Sequence, residues 1–170
     1  MTIDILGLGE SIELFKPSDN ITFGVNDIFR IHPVDYLVVV DSPSRFSFER
    51  LSIIKNSTPI KFLSNRKEYA YRPDYSHIEL AFLPEPLDLD NKINVSLFSP
   101  YIATILAYKM FKPDRVNLYG VDMDNHPTLS NPRRTQRIKK DWNELYTELS
   151  NRNVKVTIHG NGILCQEKNF

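Results

Sequence analysis

The chain has 170 residues, with 21 lysines and arginines against 21 aspartates and glutamates, and this length suits one domain. Hydrophobic residues make up 41% of it, so a core is expected and intrinsic disorder is not. A net charge of zero excludes the positive field that non-specific binding to nucleic acid or to an anionic membrane needs. One cysteine, the lack of an apolar run of about 20 residues and an acidic amino terminus predict a cytoplasmic protein without a membrane span.

The first part of the sequence predicts short strands separated by turns and helices. Apolar runs indicate four strands, at residues 2–8, 21–25, 36–40 and 59–63. Apolar spacing predicts two short helices, marked by Ile12 and Phe15 and by Phe46, Arg50, Ile53 and Ile54. The third strand is apolar without alternation, which is typical of a buried parallel strand.

The second part begins with an irregular segment. Residues 64–95 have no clean period and contain three prolines, which predicts a lid-like insertion, although strands near 78–83 are an open alternative. Apolar residues then recur at three and four positions between Leu97 and Met110, which predicts a helix with Ser96 or Ser99 as its N-cap. A strand, a long helix and a last strand are predicted at residues 115–119, 138–149 and 154–158.

Strands that alternate with helices predict an α/β fold, with a mostly parallel sheet covered by helices on both faces. No repeat or linker divides the chain, so residues 1–170 are expected to form a single domain. In such sheets ligands bind beyond the carboxyl ends of the strands. The candidate functional residues are therefore those that directly follow the predicted strands: 7–11, 26–27, 41–42 and 120–124.

The turn Gly7-Leu8-Gly9-Glu10-Ser11 stands between a strand and a helix, where glycines let a ligand approach and a helix N-terminus favours an anion. This pattern predicts a phosphate cradle; the alternative is that the glycines only make the turn. A nicotinamide cofactor is disfavoured because Ile12 stands where the fingerprint needs its third glycine, and no Lys-Ser or Lys-Thr follows to make a P-loop. Asn26, after the second strand, is a candidate to hydrogen-bond a base or ribose, or else to cap a loop.

Three aspartates follow predicted strands: Asp41, Asp122 and Asp124. If those strands are neighbours, the carboxylates can hold Mg²⁺ against a phosphate, although capping of the local backbone is the commoner role of such residues. Magnesium is the one cofactor that the sequence suggests. A zinc site is not expected, because the chain has one cysteine and no HxH or HExxH spacing.

His126 lies in a proline-containing loop four residues after Asp122, which makes it a candidate general base, with a solvated loop histidine as the alternative. Arg133, Arg134 and Arg137 form a basic cluster just before and inside the last helix. One hypothesis is that they clamp a phosphate and that residues 122–137 form a closing flap. The other is that they are a solvated helix face.

Four motifs together resemble a known superfamily: LGLGES after the first strand, GVN after the second, SPYIATILAYKM in the central helix and VNLYGVDM in the strand after it. They resemble Rossmann-like transferases that include Campylobacter-type bacterial sialyltransferases, archaeal-type hydroxymethylpterin diphosphokinases and uncharacterised bacterial and phage proteins. Two departures are that Leu8 replaces a polar Asn of the sialyltransferase turn and that no tyrosine pair follows Asp122.

The resemblance implies a single Rossmann-like domain and a nucleotide site. By likeness to the sialyltransferases, the nucleotide contacts fall on Gly7, Gly9, Ser11, Asn26 and Ser99. By likeness to the pterin kinases, Gly120 and Asp122 belong to a magnesium and nucleotide site.

The predicted function is transfer of a group from a nucleotide donor, with a small sialyltransferase-like glycosyltransferase ahead of a diphosphokinase. Asp122 and His126 are the predicted catalytic residues, and the predicted partner is a nucleotide or nucleotide-sugar. A binding module of the same fold that has lost catalysis is the alternative. Sheets of this kind often pair through an edge or a helix face, so a homo-oligomer is a further expectation.

Overall fold

The computed structural model describes residues 1–41, 43–63, 98–123 and 126–165. The predicted insertion at 64–95, with its alternative strands near 78–83, lies outside the described residues. Ser42, Ser96 and Asp124 also lie outside them. The expectations for Ser42 and Asp124 stay predictions, whereas the helix for which Ser96 is a candidate N-cap is capped by Phe98.

Within the described part of the chain, six strands form one sheet in which every pair of neighbours is parallel. They are β1 (Thr2–Leu6), β2 (Ile21–Val25), β3 (Tyr36–Val39), β4 (Ile60–Leu63), β5 (Arg115–Tyr119) and β6 (Lys155–Ile158). Their order across the sheet is β4-β3-β2-β1-β5-β6. The chain therefore winds outward from β1 in both directions, which confirms the predicted Rossmann-like α/β fold and makes the β1–β5 boundary its topological switch point.

The helices are α1 (Phe48–Asn56), α2 (Ser99–Phe111) and α3 (Pro132–Asn151). Side-chain caps fix two of their starts: Ser47 Oγ accepts the Arg50 N–H at 3.3 Å, and Asn131 Oδ1 accepts the Arg134 N–H at 3.1 Å. The helix predicted around Ile12 is a 3-10 turn, Glu10–Leu14. None of the described helices has the length and apolar character of a bilayer-spanning segment.

Helix α2 is the central helix of the fold. Its N-cap is Phe98, so the prediction that Ser99 caps this helix is wrong; the Ser99 hydroxyl instead donates to Asn26 Oδ1 at 3.3 Å. Pro100 lies in the first turn, where no N–H is needed, and the helix ends at Lys112 in a left-handed conformation. Its residues from 99 to 108 are all buried, as expected for a helix that is apolar on every side.

The two faces of the sheet carry separate cores, which confirms that helices cover both. On one face, α2 and α3 pack against strand residues such as Ile3, Phe23 and Leu118. On the other face, Leu6 and Leu37 pack against the 3-10 turns and α1, including Ile54. Packing on both sides buries the central strands, so the positions left open to a ligand are the strand ends.

Trp142 is the largest side chain of the α3 core. It is 1% exposed, and its ring lies within 6.1 Å of those of Phe98, Tyr101 and Tyr146. We expect Trp142→Ala to lower the free energy of unfolding by about 3–5 kcal/mol, because it leaves a cavity among these rings. Urea denaturation measures this, with the exposed Arg137→Ala on the same helix as a control expected to change it by less than about 0.5 kcal/mol. Equal stability of the two variants would contradict this packing.

Candidate functional site

A cleft of about 540 Å³ lies beyond the carboxyl ends of β1, β2, β3 and β5. The predicted site residues that line it are Gly9, Asn26, Asp41, Ser99, Gly120, His126 and Arg134. These residues come from six separate segments of the sequence. The topology therefore brings them together, at the position where α/β sheets bind ligands.

A second hollow, of about 510 Å³, lies at the opposite, amino end of β2 and β3. Two of its polar residues, Thr22 and Asp35, bond each other: the Thr22 N–H and hydroxyl donate to Asp35 Oδ2 at 2.8 and 2.9 Å. Its polar groups therefore tie two loops together. The carboxyl-end cleft is the better candidate because it gathers side chains with acid–base and anion-binding chemistry.

The glycine turn after β1 packs directly on the turn after β5. The Gly7 N–H donates to the Tyr119 carbonyl at 2.7 Å, and the Gly9 N–H donates to the Gly120 carbonyl at 2.9 Å. A β-carbon on Gly7 would overlap the Gly120 carbonyl oxygen, and Gly120 has φ +66°. The prediction that this turn cradles a phosphate therefore needs correction, because the Gly7 and Gly9 N–H groups already donate to carbonyls of the protein. The glycines instead let the two turns approach each other.

Ser11 and Asp122 lie beneath this turn and do not line the cleft. The Ser11 hydroxyl accepts the Gly120 N–H at 2.9 Å and is buried. Asp122 is 2% exposed, and β-carbons on Gly9 and Gly160 would lie 2.9 and 2.7 Å from its two carboxylate oxygens. The predicted nucleotide contact of Ser11 is thus replaced by a contact that holds the β5 turn.

Among the described residues, Asp122 Oδ1 is a buried oxygen with no hydrogen-bond partner. A buried carboxylate oxygen without a donor is unfavourable, and such groups are found at functional sites more often than elsewhere. The glycines on either side let the backbone close directly onto the carboxylate, because a side chain at Gly9 or Gly160 would collide with its oxygens. Asp122 therefore stays a candidate for chemistry one layer beneath the cleft.

Within residues 1–41, 43–63, 98–123 and 126–165, no three His, Cys, Asp or Glu side chains form a group that could hold a metal. Asp41 instead pairs with Arg45 at 3.3 Å on the cleft wall. Because Asp124 lies outside the described residues, the magnesium hypothesis stays a prediction.

Asn26 follows β2 in a left-handed conformation, φ +55°, and its N–H donates to the Val38 carbonyl at 3.0 Å. The bond from the Ser99 hydroxyl then fixes its side chain against the start of α2. Met123, on the β5 side of the cleft, is also left-handed at φ +63°. Non-glycine residues in this conformation are strained, and two of them lining one cleft point to a functional constraint.

The wall between β3 and α1 carries two arginines that the sequence did not nominate. Arg45 and Arg50 both line the cleft, and Arg50 Nη2 lies 2.5 Å from Oδ1 of the fully buried Asp27. Arg30 Nε pairs with the other oxygen of Asp27 at 3.0 Å. Asp27 stands about where dinucleotide-binding proteins have an acid that binds ribose. Here its carboxylate is paired with Arg30 and Arg50 instead. Their position in the sequence could have identified them, since both arginines closely follow the third strand and residues after strands are the candidates for the site.

His126 and Arg134 form the opposite wall. His126 is exposed at the rim, with its ring edge-on to Phe98 at 6.5 Å. Partial desolvation in the cleft, and then the charge of Arg134, lower the pKa of His126 below its ordinary value. The imidazole is therefore held in its neutral form near pH 7, as a general base requires.

The arginine cluster lies in the helix and not in a flap. A 3-10 turn, Pro127–Ser130, precedes α3, which begins at Pro132. Arg133 and Arg137 are exposed and do not line the cleft, whereas Arg134 does. The predicted clamp is thus reduced to one of its three arginines in this structure.

No protein-family model and no curated protein matches the chain. A solved structure does match: the sialyltransferase CstII from Campylobacter jejuni in complex with the substrate analogue CMP-3FNeuAc. The likeness covers 98% of this chain and 81% of that one, with a TM-score of 0.60 and 15% sequence identity. The chain therefore shares the fold of a sialyltransferase.

The packed turns make Gly7 sensitive to any side chain. We expect Gly7→Ala to lower the free energy of unfolding by about 1–3 kcal/mol, because the new methyl group displaces the Gly120 carbonyl. Urea denaturation measures the loss. The exposed Glu10→Ala in the same segment is the control, expected within about 0.5 kcal/mol of the parent chain. A Gly7→Ala protein as stable as this control would show that the turns are not in contact.

The charge on Arg134 gives a test of the His126 environment. Arg134→Gln removes a positive charge that disfavours the imidazolium, so we expect the pKa of His126 to rise toward its ordinary value. An NMR titration of the histidine ring proton measures this shift. Arg133→Gln, which removes a charge away from the cleft, is expected to shift this pKa less. Equal shifts in both variants would contradict the placement of Arg134 at the cleft.

Proposed function

We propose that the cleft binds a nucleotide-linked donor and that the chain transfers the donor's group to an acceptor hydroxyl, with sugar transfer ahead of diphosphate transfer. The observation that carries the proposal is that Asn26, Ser99 and His126, distant in sequence, line one cleft at the switch point of a Rossmann-like sheet. The shared fold supports it, because the sialyltransferase structure holds an analogue of a CMP-linked sugar.

In this proposal the nucleotide is held on the β2 side of the cleft. Asn26 hydrogen-bonds the nucleoside, and its bond to Ser99 keeps the amide oriented before the ligand arrives. Gly9 and Gly120 form the floor under the ligand, where the turns after β1 and β5 pack on each other. These roles follow the resemblance of the Asn26, Ser99 and glycine-turn motifs to those of the sialyltransferases.

His126 is the proposed general base for the transfer. The acceptor hydroxyl gives its proton to the neutral imidazole, and its oxygen forms the new bond to the transferred carbon. The bond from that carbon to the donor phosphate oxygen breaks, and the electron pair leaves on the phosphate. Arg134, on the same wall as His126, stabilises this negative charge.

Asp122 is the proposed second catalytic residue, either toward the acceptor hydroxyl or, with Asp41 and Asp124, toward Mg²⁺. In a diphosphokinase the acceptor oxygen would instead attack the β-phosphorus of a nucleoside triphosphate, the bond from that phosphorus to the α-phosphate oxygen would break, and a nucleoside monophosphate would leave; that reaction needs the metal more strongly. Transfer unaffected by EDTA would remove Mg²⁺ from the proposal and favour sugar transfer.

A binding module without catalysis is the second candidate, and two observations favour it. The Gly7 and Gly9 N–H groups have acceptors within the protein, and Glu10 adds a negative charge to the cleft lining. In this case the cleft binds the nucleotide and no transfer follows. A cytoplasmic location, self-association and a lid at residues 64–95 also remain proposals.

Calorimetric titration with CMP, CDP, UDP, GDP and ATP, each with and without Mg²⁺, tests the nucleotide site. We expect Asn26→Ala to weaken binding about tenfold, because one polar contact to the ligand is lost. Asn153→Ala is the matched control: Asn153 is also left-handed, at φ +61°, but does not line the cleft. Equal affinities in the two variants would contradict the role of Asn26.

A further test separates the enzyme from the binding module. His126→Gln should bind the nucleotide as the parent chain does and lose transfer from a CMP-linked sugar to an acceptor hydroxyl. If the parent chain binds nucleotide and releases no CMP from such a donor, the binding module is the correct reading. If it binds no nucleotide in the panel, both candidates fail.

A further inference from the structure

The strongest unassigned feature of the cleft is the charged group that follows β3, which we name the β3–α1 wall: Asp27, Arg30, Asp41, Arg45 and Arg50. Arg45 ends the 3-10 turn Pro43–Arg45, and Arg50 lies in the first turn of α1. Both side chains line the cleft, together with Asp41. None of these arginines belongs to the basic cluster that the sequence nominated as a phosphate clamp.

Arg50 is held in place from two sides. The fully buried Asp27 binds its Nη2 at 2.5 Å, and the ring of Phe46 lies 5.0 Å from its guanidinium carbon. The contact with Asp27, and then the charges of Asp27 and Asp41, outweigh desolvation and raise the pKa of Arg50 further above its ordinary value. The side chain nevertheless keeps 41% of its surface exposed. A fixed guanidinium with accessible N–H groups is preorganised to bind a carboxylate or phosphate.

The charges of the wall favour an anion. Three arginines face two aspartates, so one positive charge is in excess. Arg30 does not line the cleft and completes the pairing of Asp27 from the outside. Glu10 also lines the cleft and is negative, but it belongs to the segment after β1 and not to the β3–α1 wall. On the cleft side the wall presents Arg45 and Arg50 against Asp41, because Asp27 is fully buried and its charge is shared with Arg30 outside the cleft.

We propose that Arg50, together with Arg45, forms an anion subsite that takes a phosphate group. Where the proposed function holds, this group is the phosphate of the nucleotide donor, which the wall holds on one side while Arg134 adds a positive charge from the opposite side of the cleft; that identification rests on the proposed function. The binding of a phosphate-class anion rests only on the geometry of the wall. Arg133 and Arg137 have no part in it, because they are exposed on α3 away from the cleft lining.

The experiment uses two probes on the full chain. The first probe is inorganic phosphate. Its binding is measured as the rise in melting temperature that it causes, relative to sodium chloride at equal ionic strength. The second is the ratio of CMP to cytidine affinity by calorimetry, which reports the phosphate contribution alone. We expect Arg50→Ala to weaken phosphate binding at least about tenfold, and Arg45→Ala to weaken it less, since Arg45 is shared with Asp41.

Arg30→Ala is the matched control, because it removes the other partner of Asp27 without touching the cleft. The phosphate affinity of Arg30→Ala should equal that of the parent chain, although Arg30→Ala and Arg50→Ala each remove an ion pair to the buried Asp27. Arg50→Lys should recover part of the affinity, since it restores the charge but not the planar fork. If Arg30→Ala and Arg50→Ala weaken binding equally, the effect is structural and the subsite is wrong.

The two proposals fail separately. Phosphate stabilisation that Arg50→Ala abolishes, in a chain that binds no nucleotide, supports the subsite and overturns the proposed function. CMP binding with an unchanged CMP to cytidine ratio in Arg50→Ala overturns the subsite and leaves the function standing. A parent chain that phosphate stabilises no more than chloride does also overturns the subsite.

Discussion

The close approach of the turns after β1 and β5 is the constraint on which the rest of the site depends. Gly7 and Gly9 donate to carbonyls of the β5 turn, and the Ser11 hydroxyl accepts a bond from Gly120. These contacts hold β1 and β5 in register past their last paired residues. Because the walls of the cleft rise on either side of this pair of turns, the width of the cleft is set by backbone contact and not by side-chain packing alone.

The buried charges can be understood from the same constraint. Asp122 is enclosed because Gly9 and Gly160 lack side chains, so the turns that meet over β1 and β5 also cover a carboxylate. Asp27, at the end of β2, is as deeply buried but has two arginine partners. Among the described residues, each of the two carboxylates has one oxygen without a hydrogen-bond partner, but of the two only Asp27 forms ion pairs with arginines.

Local sequence patterns are enough to predict the fold and the end of the sheet at which the site lies. They predict only some of the residues that line the site. Periodicity over five to ten residues is enough to identify β2 and β5, and the rule for parallel sheets then nominates Asn26 and Gly120. The pairing of Arg50 with Asp27 joins residues 23 positions apart, and no local pattern encodes it. Nor does a glycine turn indicate whether its N–H groups face a ligand or a neighbouring carbonyl.

The parallel pairing of β1 with β5 has a consequence for how the chain is made. Thr2 lies beside Arg115, so β1 pairs with a strand that is synthesised more than a hundred residues later. At about 5–20 residues per second, β1 waits roughly 5–20 s for this partner, with one edge unpaired meanwhile. The residues of β1 to β4 are all synthesised before β5, and the pairing of β5 with the open edge of β1 also completes the floor of the cleft.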